Sequence, residues 1–260
     1  MEPEALLSVA DLLQRGLDGA SLPEVVPVAI DELRALAATL RRGGAAAGAA
    51  VPVLPPSEIV SRDPSHFNFC VASRTKSGKS FLVAAIAREM VAAGRVARVI
   101  ILSADTSTAL ATYDGVCPDT RVYAYLAERV LALIKAHERK RLADETPVPT
   151  LVVFDDIADT DIAKDKYVNA LFTRGRHMNI WTCVASQQAN CALAPVFKNN
   201  SRFIIFSQLP PKALGGLLDD MVLRPEMSPK TFKAWVAEQC ERYTFALYDD
   251  NMRSLSLLRA

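Results

Sequence analysis

The alternation of apolar and polar positions divides most of this chain into short strands and helices. Apolar runs bounded by polar turns predict strands, and apolar positions three or four residues apart predict helices. The predicted strands lie at 66–73, 97–103, 120–125, 150–156, 179–186, 202–208, 242–248 and 253–258. The predicted helices lie at 78–93, 125–144, 161–173 and 229–239. Because strands and helices alternate, we predict an α/β fold with a mainly parallel sheet and helices on both faces.

The N-terminal part of the chain shows a different pattern. Residues 4–15 carry apolar side chains at helical spacing, and a second helix is predicted from near Pro27, with Gly43 just past its end. The stretch "GGAAAGAAVPVLPPS", 43–57, has small residues followed by prolines, which predicts a flexible linker. We therefore divide the chain into an N-terminal helical segment, 1–42, the linker 43–57, and a main domain, 58–260.

Composition limits the classes of protein that fit this pattern. Half of the 260 residues are apolar, enough for a large core, but no apolar run has the length of a membrane span. The N-terminus lacks the basic flank and long apolar stretch of a signal peptide. Five cysteines without a CxxC pair favour reduced thiols and no zinc site. The formal net charge is +1, so any contact with nucleic acid has to be local.

The segment "SRTKSGKS", 73–80, follows a predicted strand and ends as a phosphate-binding loop ends. In such a loop the backbone N–H groups and the helix dipole point at the anion. Gly78 lets the backbone approach the ligand, Lys79 reaches the β- and γ-phosphates of ATP, and Ser80 holds Mg²⁺. Ser73 replaces the usual first glycine, and an ordinary strand–turn–helix that contains Gly-Lys-Ser remains an alternative. The predicted nucleotide-binding residues are Ser73, Arg74, Thr75, Lys76, Ser77, Gly78, Lys79 and Ser80.

Two further strands end in polar residues that fit nucleotide hydrolysis. The strand "LVVFDD", 151–156, ends in two acids: we predict that Asp155 holds Mg²⁺, mostly through water, and that Asp156 polarises the attacking water. The strand in "WTCVASQQ", 181–188, supplies Gln187, with Gln188 in reserve, to sense the γ-phosphate or position water. The alternatives are a solvated turn for the acids and an exposed loop for the glutamines.

Arginines form the fourth candidate element. "FTRGRHMNI" contains Arg174, Arg176 and His177, and "KNNSRFIIF" begins a strand at Arg202. An arginine that reaches into a neighbouring subunit's site neutralises transition-state charge, and Arg176 is our first choice for this role. The alternative is that each is a surface cation. The charge run "KAHERKRLADE", 135–145, is interpreted as the solvated face of a helix and not as a DNA-binding surface.

These pieces, in this order, resemble the poxvirus-type genome-packaging ATPases of large DNA viruses, a branch of the FtsK–HerA superfamily of P-loop NTPases. The resemblance rests on "SRTKSGKS", "LVVFDDI", "FTRGRHMNIWTCVASQQ" and "APVFKNNSRFIIF", and it covers about 66–208. The loop and the acid pair are unspecific among P-loop ATPases. The Gly-Arg-His segment that leads into a strand ending in glutamine is more specific.

The resemblance implies a function and a set of partners. Members of this branch hydrolyse ATP with Mg²⁺, assemble as rings and thread double-stranded DNA into a preformed capsid, and they often lack the first loop glycine. The resemblance therefore implies that this chain forms a homo-oligomeric ring, a pentamer or hexamer, with capsid or portal-like partners. The implied location is the host cell cytoplasm, a viral assembly site or the virion.

Other functions stay open at this stage. A cellular DNA pump or helicase-like relative would share every one of these motifs. A small-molecule phosphotransferase would also use the loop, but Gln187 would then be incidental. A structural P-loop protein would bind nucleotide without turnover. Hydrolysis of ATP that DNA stimulates would separate the motors from the last two classes.

Overall fold

The computed structural model describes residues 51–63, 65–157, 160–221, 228–240 and 243–260. The helices predicted within 1–42 lie outside these residues, as does the linker up to residue 50. Residues Pro52–Ala260 form one compact unit.

The described residues form a single nine-stranded sheet in the order β1-β9-β8-β7-β2-β6-β5-β3-β4. The strands are β1 (Val53–Leu54), β2 (Phe69–Ala72), β3 (Arg98–Ser103), β4 (Thr120–Ala124), β5 (Thr150–Asp155), β6 (Ile180–Ser186), β7 (Phe203–Phe206), β8 (Thr244–Asp249) and β9 (Ser254–Arg259). β8 runs antiparallel to β7 and β9, and all other pairs are parallel. The predicted mainly parallel sheet is confirmed.

Helices cover both faces of this sheet. They are α1 (Pro56–Arg62), α2 (Lys79–Ala92), α3 (Thr106–Tyr113), α4 (Ala127–Leu142), α5 (Lys166–Arg174), α6 (Ala189–Ala192), α7 (Pro195–Lys198), α8 (Pro211–Asp220) and α9 (Pro229–Gln239). Successive strand residues point to opposite faces, so Phe69 and Val71 pack with Leu82 of α2, while Cys70 belongs to a second core with Leu171 of α5. No helix in the described part of the chain is long and apolar enough to cross a membrane.

Four local features differ from the sequence pattern. The predicted helix 161–173 is a 3₁₀ turn, Thr160–Lys164, followed by α5, because the Asp165 carboxylate accepts bonds from the N–H groups of Tyr167 and Val168 and starts a new helix. α8 was not predicted, although Pro211 at its first position is a typical start signal. Leu126, an apolar residue near the start of the predicted helix 125–144, does not lie on the apolar face of α4: it is an exposed capping residue.

The fourth difference concerns the predicted linker 43–57. Val53 and Leu54 pair in parallel with Leu257 and Leu258 of β9, and α1 begins at Pro56. Residues 53–54 and 56–57 therefore have regular structure, which the prolines did not indicate because proline fits both a sheet edge and the first turn of a helix. The division into three segments otherwise stays a prediction.

The charge run 135–145 lies at the end of α4 and in the turn after it. Lys135, Arg139, Lys140 and Arg141 are exposed, as expected for a solvated face. His137 is the exception: it is buried, and its Nδ1 lies 2.8 Å from the carbonyl oxygen of Met178. Burial lowers the pKa of His137, and its bond to Met178 opposes this shift.

Strand order decides where the candidate residues meet. β6 lies between β2, which leads into the loop, and β5, which carries the two acids. All three strands are parallel, so their carboxyl ends share one edge of the sheet, here called the carboxyl edge. Ligands of open α/β sheets bind at this edge.

Candidate active site

The loop between β2 and α2 has a backbone shape that requires glycine at one position. Gly78 has φ +96°, a conformation that disfavours any side chain, and a Cβ there would lie 2.2 Å from Cδ1 of Tyr243. Either effect alone would disturb the loop. Gly78 therefore allows both the turn and the close approach of the Tyr243 ring.

Ser73 takes the place of the first loop glycine without strain. Its φ is not positive, so this position does not require glycine, and the side chain is fully buried. The Ser73 N–H donates to the Ser186 carbonyl at 3.3 Å and ties the loop to the end of β6. The hydroxyls of Ser73 and Ser77 are buried without a hydrogen-bond partner among the described residues. Buried hydroxyls of this kind require a ligand or water as partner.

Lys79 begins α2 and lies between the two acids. Its Nζ is 3.7 Å from Asp155 Oδ1 and 3.9 Å from Asp156 Oδ1, and its side chain is buried. Asp155 is also buried, whereas Asp156 is half-exposed. Ser80 Oγ donates to Asp155 Oδ1 at 3.2 Å. The structure thus brings the predicted loop and the predicted acid pair together.

Tyr113, the last residue of α3, holds the other oxygen of Asp155. Its hydroxyl donates to Asp155 Oδ2 at 3.0 Å in a fully buried setting. Burial and the negative charge of Asp155 raise the pKa of Tyr113 well above its ordinary value, so the hydroxyl remains a donor. No sequence motif marks this tyrosine, and the analysis by pattern missed it.

Gln187 links the loop to the second acid. Its Nε2 donates to Asp156 Oδ1 at 2.7 Å, and its Oε1 accepts a bond from the hydroxyl of Thr75. Gln187, which follows β6, therefore contacts the residues that follow both neighbouring strands: Asp156 after β5 and Thr75 after β2. Gln188, the reserve candidate, is exposed; its backbone N–H donates to Ser186 Oγ at 3.1 Å, and its carbonyl accepts from the N–H groups of Cys191 and Ala192. The geometry favours Gln187.

The donor set suits a Mg²⁺ ion that arrives with a nucleotide. Among the described residues no three or more His, Cys, Asp or Glu side chains cluster to form a metal site by themselves. Mg²⁺ commonly combines one or two protein oxygens with substrate phosphates. Ser80 Oγ and Asp155 Oδ1 are 3.2 Å apart, close to the separation of about 2.9 Å between adjacent ligands of an octahedral Mg²⁺ ion. The positions of Ser80 and Asp155 therefore fit their predicted role as the residues that hold Mg²⁺.

The candidate arginines do not share this edge of the sheet. Arg176 lies in the 3₁₀ turn Gly175–Met178 that precedes β6, whereas Gln187 follows β6. A strand of this length separates them by about 20 Å. Arg174, at the end of α5, and Arg176 are both exposed. Arg176 cannot reach the loop of its own chain, but it is accessible to another molecule.

Arg202 has a different environment. It forms an ion pair with Asp63 and lies 3.3 Å from Asp249, which is fully buried and also 3.8 Å from Arg62. Burial disfavours the charge, but bonds to Asp249 and Asp63 outweigh it and raise the pKa of Arg202. Arg202 therefore serves the packing of α1, β7 and β8 and is not a surface arginine.

Tyr243 is the second residue that sequence analysis missed. It directly precedes β8, its N–H donates to the Ser77 carbonyl at 3.0 Å, and its own carbonyl accepts from the N–H of Ala260. Its φ of 65° is unfavourable for a bulky residue. The sequence gives little indication that Tyr243 belongs to this site, because Tyr243 and the loop lie far apart along the chain.

The sheet order, the loop and the acid strand define a P-loop ATPase fold. No family model matches the sequence. A curated relative, the uncharacterized protein 015R of Frog virus 3 (isolate Goorha), is 27% identical over 136 residues, which is 51% of this chain and 41% of that protein. The chain therefore matches less than half the length of this viral relative.

Solved structures share the fold. B204, the DNA-packaging ATPase of Sulfolobus turreted icosahedral virus, aligns with TM-score 0.53 at 13% identity over 75% of this chain and 98% of its own. B204 of the related virus 2, in complex with AMPPCP, aligns with TM-score 0.52 at 14% identity over 74% and 96%. The pCW3 conjugation coupling protein TcpA aligns with TM-score 0.53 at 16% identity over 75% and 60%. The P-loop ATPase fold that the resemblance implies is therefore confirmed.

Proposed function

We propose that this chain is an ATP-driven motor that translocates double-stranded DNA and packages a viral genome into a preformed capsid. The observation that carries the proposal is the meeting of Lys79, Asp156 and Gln187 at the carboxyl edge of a P-loop fold. The fold shared with B204, a DNA-packaging ATPase, supports the choice of substrate. The relative from Frog virus 3 supports a viral setting, in the host cytoplasm, at an assembly site or in the virion.

The residues divide the work of hydrolysis among them. Residues 73–80 bind the phosphates, and the Lys79 ammonium provides the main side-chain charge. Ser80 and Asp155 hold Mg²⁺, which when bound neutralises charge on the β- and γ-phosphate oxygens. Asp156 is half-exposed and polarises the attacking water, while Gln187 orients that water and Asp156 together.

Gln187 also suits a motor better than a simple phosphotransferase. It contacts Asp156 on one side and Thr75 of the loop on the other, so a change at the γ-phosphate would alter both contacts. A kinase needs no such residue at this position. We propose Arg176 as the residue that acts on the nucleotide of a neighbouring subunit, within a ring of five or six copies.

The test is ATP hydrolysis by the purified full chain, with and without double-stranded DNA. We expect DNA to stimulate turnover and Lys79→Ala to lower it by about a hundredfold or more, because the variant loses the main charge on the phosphates. Lys135→Ala, an exposed lysine of α4, is the matched control and should behave as the wild type. Displacement of an oligonucleotide bound as a triplex would report translocation.

Two results would contradict the proposal. Near-normal hydrolysis by Lys79→Ala would show that residues 73–80 are not the ATP-binding site. A rate of ATP hydrolysis that is the same with and without DNA, together with phosphate transfer to a small acceptor, would instead support the phosphotransferase alternative. A cellular DNA pump would pass the DNA test, so association with capsid or portal-like proteins separates it from a packaging motor.

A further inference from the structure

An aromatic pair, the exposed Phe81 and the partly buried Tyr243, lies beside the phosphate-binding loop. Phe81 follows Ser80 directly, and 59% of its surface is accessible to solvent. The rings of Phe81 and Tyr243 meet edge to face with centroids 6.3 Å apart. An exposed aromatic side chain beside a ligand-binding loop can bury its ring against a bound ligand, which is strongly favourable.

The position of Tyr243 is specified by the loop itself. Its ring lies against Gly78, where a Cβ would come within 2.2 Å, and its N–H is bonded to the Ser77 carbonyl. It keeps this position in spite of an unfavourable positive φ. Strained residues that the surrounding structure holds in place cluster at functional sites.

Strand order gives the direction in which a bound nucleotide must extend. The acids and Gln187 follow β5 and β6, on one side of β2. These residues face the terminal phosphate, so the nucleoside leaves the loop on the other side. That side carries β7 and β8, and Tyr243 stands at the start of β8, level with the end of β7.

We propose that Phe81 and Tyr243 form the nucleobase subsite of this ATPase, in which the base stacks on an aromatic ring. The inference rests on the proposed function, since it requires that residues 73–80 bind a nucleoside polyphosphate. Stacking of a base on an aromatic side chain is a general mode of recognition because every base has a π-face. The subsite explains both the exposure of Phe81 and the strained placement of Tyr243.

The test compares two ligands that differ only in the nucleoside. ADP and inorganic pyrophosphate, each with Mg²⁺, are titrated into the full chain by calorimetry. Phe81→Ala should weaken ADP binding about tenfold and leave pyrophosphate binding unchanged. Phe81→Tyr, which keeps a ring, should restore ADP binding. Leu142→Ala removes a still more exposed apolar side chain at the end of α4 and should change neither affinity.

The outcomes separate this inference from the proposed function. If the wild type binds neither ligand, the ATPase proposal fails and the subsite with it. If the wild type binds both and Phe81→Ala keeps its full affinity for ADP, the subsite is wrong while the ATPase proposal stands. Equal losses for ADP and pyrophosphate in Phe81→Ala would also overturn the subsite, because they indicate a disturbed loop.

Discussion

Asp155 and Asp156 are neighbours in the sequence, but their carboxylates have different surroundings. Asp155 is buried, and its two oxygens accept bonds from Ser80 and Tyr113. Asp156 has φ +54°, a left-handed conformation that Asp and Asn tolerate, and it is half-exposed beside Gln187. One carboxylate is held in place by two hydrogen bonds, and the other is accessible to water.

This difference predicts a variant that binds nucleotide but does not hydrolyse it. Asp156→Asn keeps the backbone conformation and the size of the side chain but removes the charge that polarises water. We expect nucleotide affinity to stay near that of the wild type and kcat to fall by about a hundredfold or more. Binding is measured with ADP and turnover as phosphate release.

The matched variant at the neighbouring position is Asp155→Asn. It should weaken the dependence of nucleotide binding on Mg²⁺, because the buried ligand to the metal loses its charge. If Asp156→Asn lost binding as well as turnover, the roles of the two aspartates would have to be exchanged.

The predictable part of the site consists of residues at strand ends. Lys79, Asp155 and Gln187 each follow an apolar strand, and parallel strands bring their ends to one edge, so sequence pattern and topology together place them in one site. Tyr113 and Tyr243 could not be found in this way. Tyr113 contacts Asp155, and Tyr243 contacts the loop, only because of how their elements pack in the fold. Tyrosines at the end of a helix or before a strand are common, so their positions in the sequence do not mark them.

At the scale of elements, apolar runs predicted the central strands well because these strands are buried on both faces. β5 is buried at every position, and so is β6. The peripheral elements were harder to predict. β1 has two residues, and its place in the sheet depends on β9, at the other end of the described chain. Short edge strands are fixed by their partners more than by their own sequence.

The ion pairs of Arg202 connect α1, β7 and β8 at the edge of the sheet opposite the carboxyl edge. Asp63 follows α1, Arg202 precedes β7 and Asp249 ends β8. Removal of Arg202 leaves the buried Asp249 with Arg62, at 3.8 Å, as its cationic partner and takes the ion-pair partner from Asp63. We expect Arg202→Ala to lower the free energy of unfolding by about 3–5 kcal/mol, measured by urea denaturation. Arg176→Ala, at an exposed position, should change it by less than about 0.5 kcal/mol.

The same network predicts a dependence on pH. Burial opposes ionisation of Asp63, but hydrogen bonds from Ser65 and Arg202 outweigh it and lower the pKa of Asp63 below its ordinary value of 3.8. A lowered pKa stabilises the fold above the unfolded value and loses this effect as pH falls through the folded value. The difference between wild type and Arg202→Ala should therefore be largest near neutral pH and shrink below about pH 4. A difference that stays constant in acid would contradict the role of Asp63.

At the scale of the whole molecule, the candidate residues lie at two opposite edges of the sheet, the carboxyl edge and the amino edge, at which β2, β5 and β6 begin. The loop, the acids and Gln187 lie at the carboxyl edge, whereas Arg174 and Arg176 lie before β6 at the opposite edge. An exposed arginine at that distance cannot assist hydrolysis within its own chain. In a ring whose subunits pack head to tail, the amino edge of one subunit would meet the carboxyl edge of the next. Each active site would then need two chains.

A mixing experiment tests this arrangement. Arg176→Ala keeps its own loop, and Lys79→Ala keeps its arginine, so each variant alone should be nearly inactive. When the two variants are mixed, some interfaces pair an intact loop with an intact Arg176, and these sites should hydrolyse ATP. Recovered activity should follow the distribution of the two chains in the ring, and labelled subunits verify that they exchange. If exchange occurs and activity does not return, Arg176 is not the residue that acts in trans. Arg174 is then tested in the same way, since Arg202 is held by Asp63 and Asp249 within its own chain.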